Sequence, residues 1–123
     1  MEIISKDYKE EYSKFIAEYD RNVASGESIG SVIIRMAQYF AMANMNYATA
    51  LNAFNRKAAE IEATIDATGK SISSSKAKIY SDATPENATL NYAKTDVENI
   101  EQFINATKAL QKGILVEYQH STT

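Results

Sequence analysis

IGSVIIRMAQYFAMANMNYATALNAFNRKAAEIEATI, residues 29–65, decides the fold. Read in sevens, Ile33, Phe40, Tyr47, Phe54 and Ile61 are bulky and share one heptad position, with Met36, Ala43 and Ala50 three residues after the first three of them. Such a repeat predicts a helix with an apolar seam. Ala37, Asn44, Leu51, Ala58 and Ile65 widen the seam into a stripe, and no proline interrupts it between Gly30 and Gly69. A helix of about 37 residues is roughly 55 Å long, more than the width of a compact domain of this size. Other segments must cover it along its length.

Upstream, Tyr8, Tyr12, Phe15, Ile16, Tyr19 and Val23 recur at helical spacing, with Ser5 as a cap and Asp7 near the positive end of the dipole. They predict a first helix over about 6–24, folded back on the long one through Ser25-Gly26-Glu27-Ser28. The long helix is expected to span 28–67 and to stop at Gly69, a residue suited to the left-handed position past a helix end. Ser71 to Ser75 then lead into a short helix over 73–81, and Thr84-Pro85-Glu86 signals the start of another, with cap, proline at the first position and an acid in the first turn. That last helix is expected over 85–118, on Leu90, Val97 and Ile104 and on Ala93, Ile100 and Ile114, joined by Phe103, Leu110 and Tyr118. Phe40, Phe54 and Ile104 are expected in a helix–helix core. Asn44, Thr107 and Gln111 fall within the apolar stripes, where buried polar residues fix register. Gly113 inside the last helix implies a close backbone approach or a bend.

The fold expected is therefore all-α: one domain over 1–123, an elongated bundle of three long helices and a short one. One proline and four glycines in 123 residues leave little turn material for a sheet. The chain has no cysteine, which excludes disulfides and thiolate metal sites and suits a reducing compartment, so a cytoplasmic location in a host cell is expected. No apolar run reaches the ~18 residues of a membrane span. The Asn-x-Ser/Thr matches at Asn87 and Asn105 matter only for a secreted chain. A net charge of −3 from 13 basic and 16 acidic side chains, with both signs interspersed along every segment, argues against a broad nucleic-acid or anionic-lipid footprint.

Catalytic patterns are weak. Glu117-Tyr118-Gln119-His120 has the spacing of a di-metal ligand pair, but His120 is the single histidine and sits at the end of the chain, so no metal or cofactor is expected. One histidine and no cysteine make a nucleophile–histidine centre improbable. Gly26-Glu27-Ser28-Ile29-Gly30 lacks the spacing of a phosphate loop. Glu60, Glu62, Asp66, Glu98 and Glu101 have Arg56, Lys57 and Lys94 as neighbours and read as surface pairs. No enzyme is expected.

Two functions of different class follow. One is a structural or interaction protein, a homo-oligomer whose extra apolar surface at Tyr39, Met42 and Met45 forms the interface, with Ala43, Ala50 and Ala58 permitting close approach. The alternative is a nucleic-acid or nucleotide binding module in which Lys70, Lys76 and Lys78 track phosphate and Tyr80 stacks on a base.

Gly26-Glu27-Ser28-Ile29-Gly30 leading into Arg35-Met36-Ala37, Gly69-Lys70 followed by Ser73 to Ala77, Glu101 to Ala106, Leu110-Gln111-Lys112-Gly113 and Glu117-Tyr118 together resemble a group of small helical proteins encoded by bacteriophages and prophages. The resemblance covers most of the chain. It implies an accessory protein that engages a phage or host protein, in assembly or in inhibition of a host-defence component, and carries no catalytic residue.

Overall fold

The computed structural model describes residues 5–21, 25–65 and 68–121, with side-chain surroundings for those between 7 and 114. They form four helices, α1 (Ser5–Asp20), α2 (Gly26–Glu62), α3 (Ser74–Asp82) and α4 (Pro85–Ser121), and the all-α expectation holds. Among the described residues the one β-type pairing is an isolated bridge between Ile65 and Ser71.

Local chemistry sets the helix ends. The Ser28 amide donates to the Ser25 hydroxyl at 3.1 Å and the Ser25 amide to the Ser28 hydroxyl at 2.8 Å, a reciprocal capping box that starts α2 two residues before the expected Ser28. At the other end α2 stops at Glu62, short of the expected Ala67. The Ile72 amide donates to the Thr64 carbonyl at 3.3 Å beside the Ile65–Ser71 bridge, so the chain reverses there. Gly69, at φ 82°, belongs to this reversal and does not cap the helix. Ser73 caps α3 by accepting from the Lys76 amide at 3.2 Å, and Thr84 caps α4 by accepting from the Asn87 amide at 3.2 Å, with Pro85 first in the helix. α1 ends at Asp20; the expected end at Ala24 and Asp66 and Ala67 of the long helix lie outside the described residues.

Packing directions follow from the side chains that meet. Tyr8 and Glu11 of α1 reach Tyr39 and Arg35 of α2, while Tyr8 and Tyr12 reach Asn99 and Phe103 of α4. α1 is therefore antiparallel to α2 and parallel to α4, and α2 and α4 run antiparallel to each other as the two long members. α1 lies over the N-terminal half of α2. α3 packs on α2 through buried Ala77 and Ser81, beginning beside its C-terminal end.

The centre of the core differs from the expected seam. Ile29, Met36, Ala43 and Ala50, seven apart, are the buried residues of α2, facing Ala93, Ile100 and Thr107 of α4. Ile33, Phe40, Tyr47, Phe54 and Ile61 are half-buried on one flank. Phe40 and Ile104 pack against the core cluster of Tyr8, Met36, Ala43 and Ile100; Phe54 stays half-buried outside it. A stripe enclosed by more than one neighbour has its centre at a single heptad position with partners three and four residues to each side, and the bulkiest side chains here occupy the sides. The widening position is divided: Ala37, Asn44 and Ile65 are exposed, while Leu51 and Ala58 are half-buried. Gln111 is exposed too, whereas Thr107 is fully buried and its hydroxyl donates to the Phe103 carbonyl at 2.7 Å. A Cβ added at Gly113 meets nothing within 4 Å, which removes the close-approach explanation for that residue.

Candidate interaction surface

The most connected group of side chains lies where α1 crosses α2 and α4. Tyr8 is fully buried, its hydroxyl donating to Asp96 Oδ1 at 2.8 Å and accepting from Asn99 Nδ2 at 3.3 Å. Burial pushes its phenol up to about 12, with Asp96 adding to the rise and Asn99 opposing it. One turn on, Arg35 grips both oxygens of Glu11, its Nε donating at 2.8 Å, and the Tyr39 hydroxyl donates to the same carboxylate at 3.0 Å. The Arg35 hydrogen bonds hold the Glu11 carboxyl below its usual range. Tyr12 stacks on Phe103 with centroids 4.0 Å apart and planes 3° from parallel. A phenol raised to about 12 is a poor proton donor or acceptor near neutrality, and these polar groups bond to one another across helices. The cluster fastens α1.

The residues marked for phosphate contact share the α3 end. Lys70, Lys76, Lys78 and Tyr80 are all exposed, Tyr80 by 52%. Lys78 Nζ pairs with Asp82 at 2.9 Å, which raises the lysine pKa, and Lys76 and Tyr80 stand one helical turn apart. Lys57 pairs with Glu60 at 3.5 Å, as the surface interpretation of those carboxylates expects. Glu117 to His120 lie on α4, with side chains outside the described ones, and no group of metal-ligating residues occurs among the described residues. None of the described helices is long and apolar enough to cross a membrane.

Tyr39, Met42 and Met45 separate. Tyr39 and Met42 are half-buried against the core of the same chain, Tyr39 beneath α1, and Met45 alone of the three is well exposed, at 71%. Ala43 and Ala50 are likewise inside the chain's own core. Met45 belongs to a different surface. Ile34, Gln38, Ala41, Met45, Ala48 and Asn52 follow one another at three- and four-residue steps on the side of α2 opposite the buried stripe, and all are exposed. Over the 18 steps from Ile34 to Asn52 this face is about 27 Å long.

No charge lies on it. From Met36 to Asn55 the chain contains no Asp, Glu, Lys, Arg or His, so the expectation of interspersed charge along every segment fails for the middle of α2. The exposed side of α4 shows the contrast, with Lys94, Glu98, Glu101, Lys108 and Lys112 all in solvent. Exposed helix faces of soluble proteins are ordinarily charged, and one without charge that also holds Ile34 at 62% exposure has the character of a contact surface. The signal was present in the sequence as a missing residue class, and a search for apolar side chains alone passes over it. Comparison with protein-family models, with characterised proteins and with solved structures finds no match to this chain.

Proposed function

We propose that this is a non-enzymatic interaction protein, a helical homo-oligomer acting as a phage-type accessory factor through contacts with a phage or host protein, in assembly or in inhibition of host defence. The observation that carries the interaction reading is the exposed face of α2, uncharged from Met36 to Asn55 in a chain whose other long helix is charged on its outer side. The polar cluster at α1 supports it from the other direction, because its described groups bind each other and serve the fold. The phage assignment rests on the sequence resemblance.

Two measurements test the proposal together. Light scattering coupled to size exclusion should give a mass that is a multiple of 13.7 kDa, and affinity capture from the native host should return a discrete protein in stoichiometric amount. A 13.7 kDa species that captures no protein would overturn it.

A further inference from the structure

We propose that the cleft between α2 and the first turn of α4 binds a free α-amino acid, whose ammonium donates to Glu86 Oε2 while its carboxylate pairs with the Arg56 guanidinium. This goes beyond the interaction reading and uses residues that reading does not.

The register of the two long helices places Glu86. Ala93, Ile100 and Thr107 form the buried stripe of α4, and Glu86 stands seven residues before Ala93, at the same heptad position. On α2 the facing stripe of Ile29, Met36, Ala43 and Ala50 reaches Lys57 at its next step. Both stripes therefore end in a charged residue. Lys57 Nζ pairs with Glu60 of its own helix at 3.5 Å, whereas Glu86 Oε2 is buried and accepts no hydrogen bond, the one such side-chain atom among the described residues. A buried carboxylate oxygen without a donor is costly, so the position calls for a donor from outside the chain.

The space beside it can admit one. Two adjoining clefts, of about 260 and 180 Å³, share Ala53 and Glu86. The larger has Arg56, Lys57 and Glu60 on its α2 wall, and the smaller is framed by Ala50 and Ala53 against Pro85 and Thr89. Short side chains on α2 leave the hollow open. The charges then decide the ligand: a bare cation meets Arg56 and Lys57, a bare anion meets Glu60 and Glu86, and no group of metal-ligating residues occurs among the described residues. A zwitterion satisfies both signs at once. With Lys57 and Glu60 compensating each other, Arg56 and Glu86 are the opposed pair, a guanidinium fork suited to a carboxylate and a carboxylate suited to an ammonium. An α-amino acid carries those two groups on one carbon. Its side chain then lies toward the alanines, proline and threonine of the smaller hollow, which suits a short apolar one.

Isotope-labelled protein titrated with L-alanine, L-valine and L-leucine should show, for the best of them, saturable shifts of the Ala53, Glu86 and Thr89 amide signals, half-complete at about 1 mM. The N-acetyl derivative of that amino acid lacks the ammonium and its amide lacks the carboxylate. Each should bind at least about tenfold more weakly, since a site built for a polar group rejects the analogue without it. Glu86→Gln and Arg56→Gln should each weaken the amino acid by about tenfold as well, with helix content by circular dichroism unchanged. Arg56 is exposed, so its substitution keeps the test decisive if Glu86→Gln fails to fold. The site is overturned by the absence of any saturable shift up to about 50 mM, by equal binding of the two analogues, or by binding that either substitution leaves unchanged. Coupling between the two substitutions in ligand-free urea unfolding also overturns it, because Arg56 and Glu86 would then hold each other across the cleft. None of these results bears on the outer face of α2, and the interaction reading stands or falls by its own measurements.

Discussion

Tyr8 carries a phenol into a place otherwise filled by Tyr39, Met36, Ile100 and Phe103, and the position is tolerable because Asp96 and Asn99 meet its oxygen. Tyr8→Phe keeps the ring and removes both bonds, so it should cost about 1 kcal/mol near neutral pH, the net value of such a hydrogen bond. The folded phenol titrates at about 12 against 10.0 for the free group. A raised folded value means that this stabilisation is complete below pH 10 and is lost as pH rises from 10 through 12. Urea unfolding across that window should show the wild-type advantage over Tyr8→Phe shrinking; a constant advantage from pH 8 to 12 would refute the buried phenol. Met36, fully buried at the centre of the α2 stripe, is a purely apolar case, and Met36→Ala should cost about 2–5 kcal/mol, with the residual cavity setting where in that range it falls. Phe54→Ala should cost less than Met36→Ala despite the larger side chain, because Phe54 keeps part of its surface in water and lies outside the central cluster.

At the scale of the helices, α2 should respond to changes at its first turns. Ser25→Ala removes the acceptor for the Ser28 amide and should lower stability by about 1 kcal/mol. Gly30 lies inside the helix with nothing within 4 Å of an added Cβ, so Gly30→Ala should raise stability by about 0.5–1 kcal/mol through the restricted unfolded chain. Thermal melts of the two variants moving in opposite directions would verify both. These elements also show which features the sequence makes legible. Thr84-Pro85 and Ser73 act through bonds to amides three residues ahead, so local order alone predicts the starts of α4 and α3. The end of α2 was not legible in that way, because Gly69 suits a helix cap and a chain reversal equally, and the pairing of Ile65 with Ser71 decides between them. Nor was the centre of the stripe. A heptad repeat fixes which residues share a side, but the angle toward the core depends on where α1 and α4 lie, and that placed Met36 and Ala43 at the centre with Phe40 beside them. The same dependence packs one side of Tyr39 and Met42 against the chain's own core.

Across the whole molecule the helices are unequally held. α2 and α4, 37 residues each, pack on one another along most of their length, while α1 has 16 residues and sends Tyr8 and Phe15 into full burial. Its described attachments include the Tyr12–Phe103 stack and the bonds of Glu11 and Tyr8 to the longer helices. A short helix held by few buried groups opens at lower free energy than the pair beneath it. α1 should therefore exchange its amide hydrogens before α2 and α4 do, as a unit, in the full-length protein near neutral pH. Acid should widen the gap. The Glu11 carboxyl is held below its usual 4.5 chiefly by the Arg35 hydrogen bonds, so its stabilisation is present above pH 4.5 and is lost as pH falls through the lowered folded value. Glu11 keeps part of its side chain in solvent and Arg35 more, which keeps the effect small, but it falls on α1 alone. Glu11→Gln should accelerate exchange in α1 at pH 7, leave the middle of α4 unchanged, and remove most of the acid sensitivity of α1. Exchange of all three helices in step, with or without the substitution, would mean that α1 belongs to the same cooperative unit as the long pair.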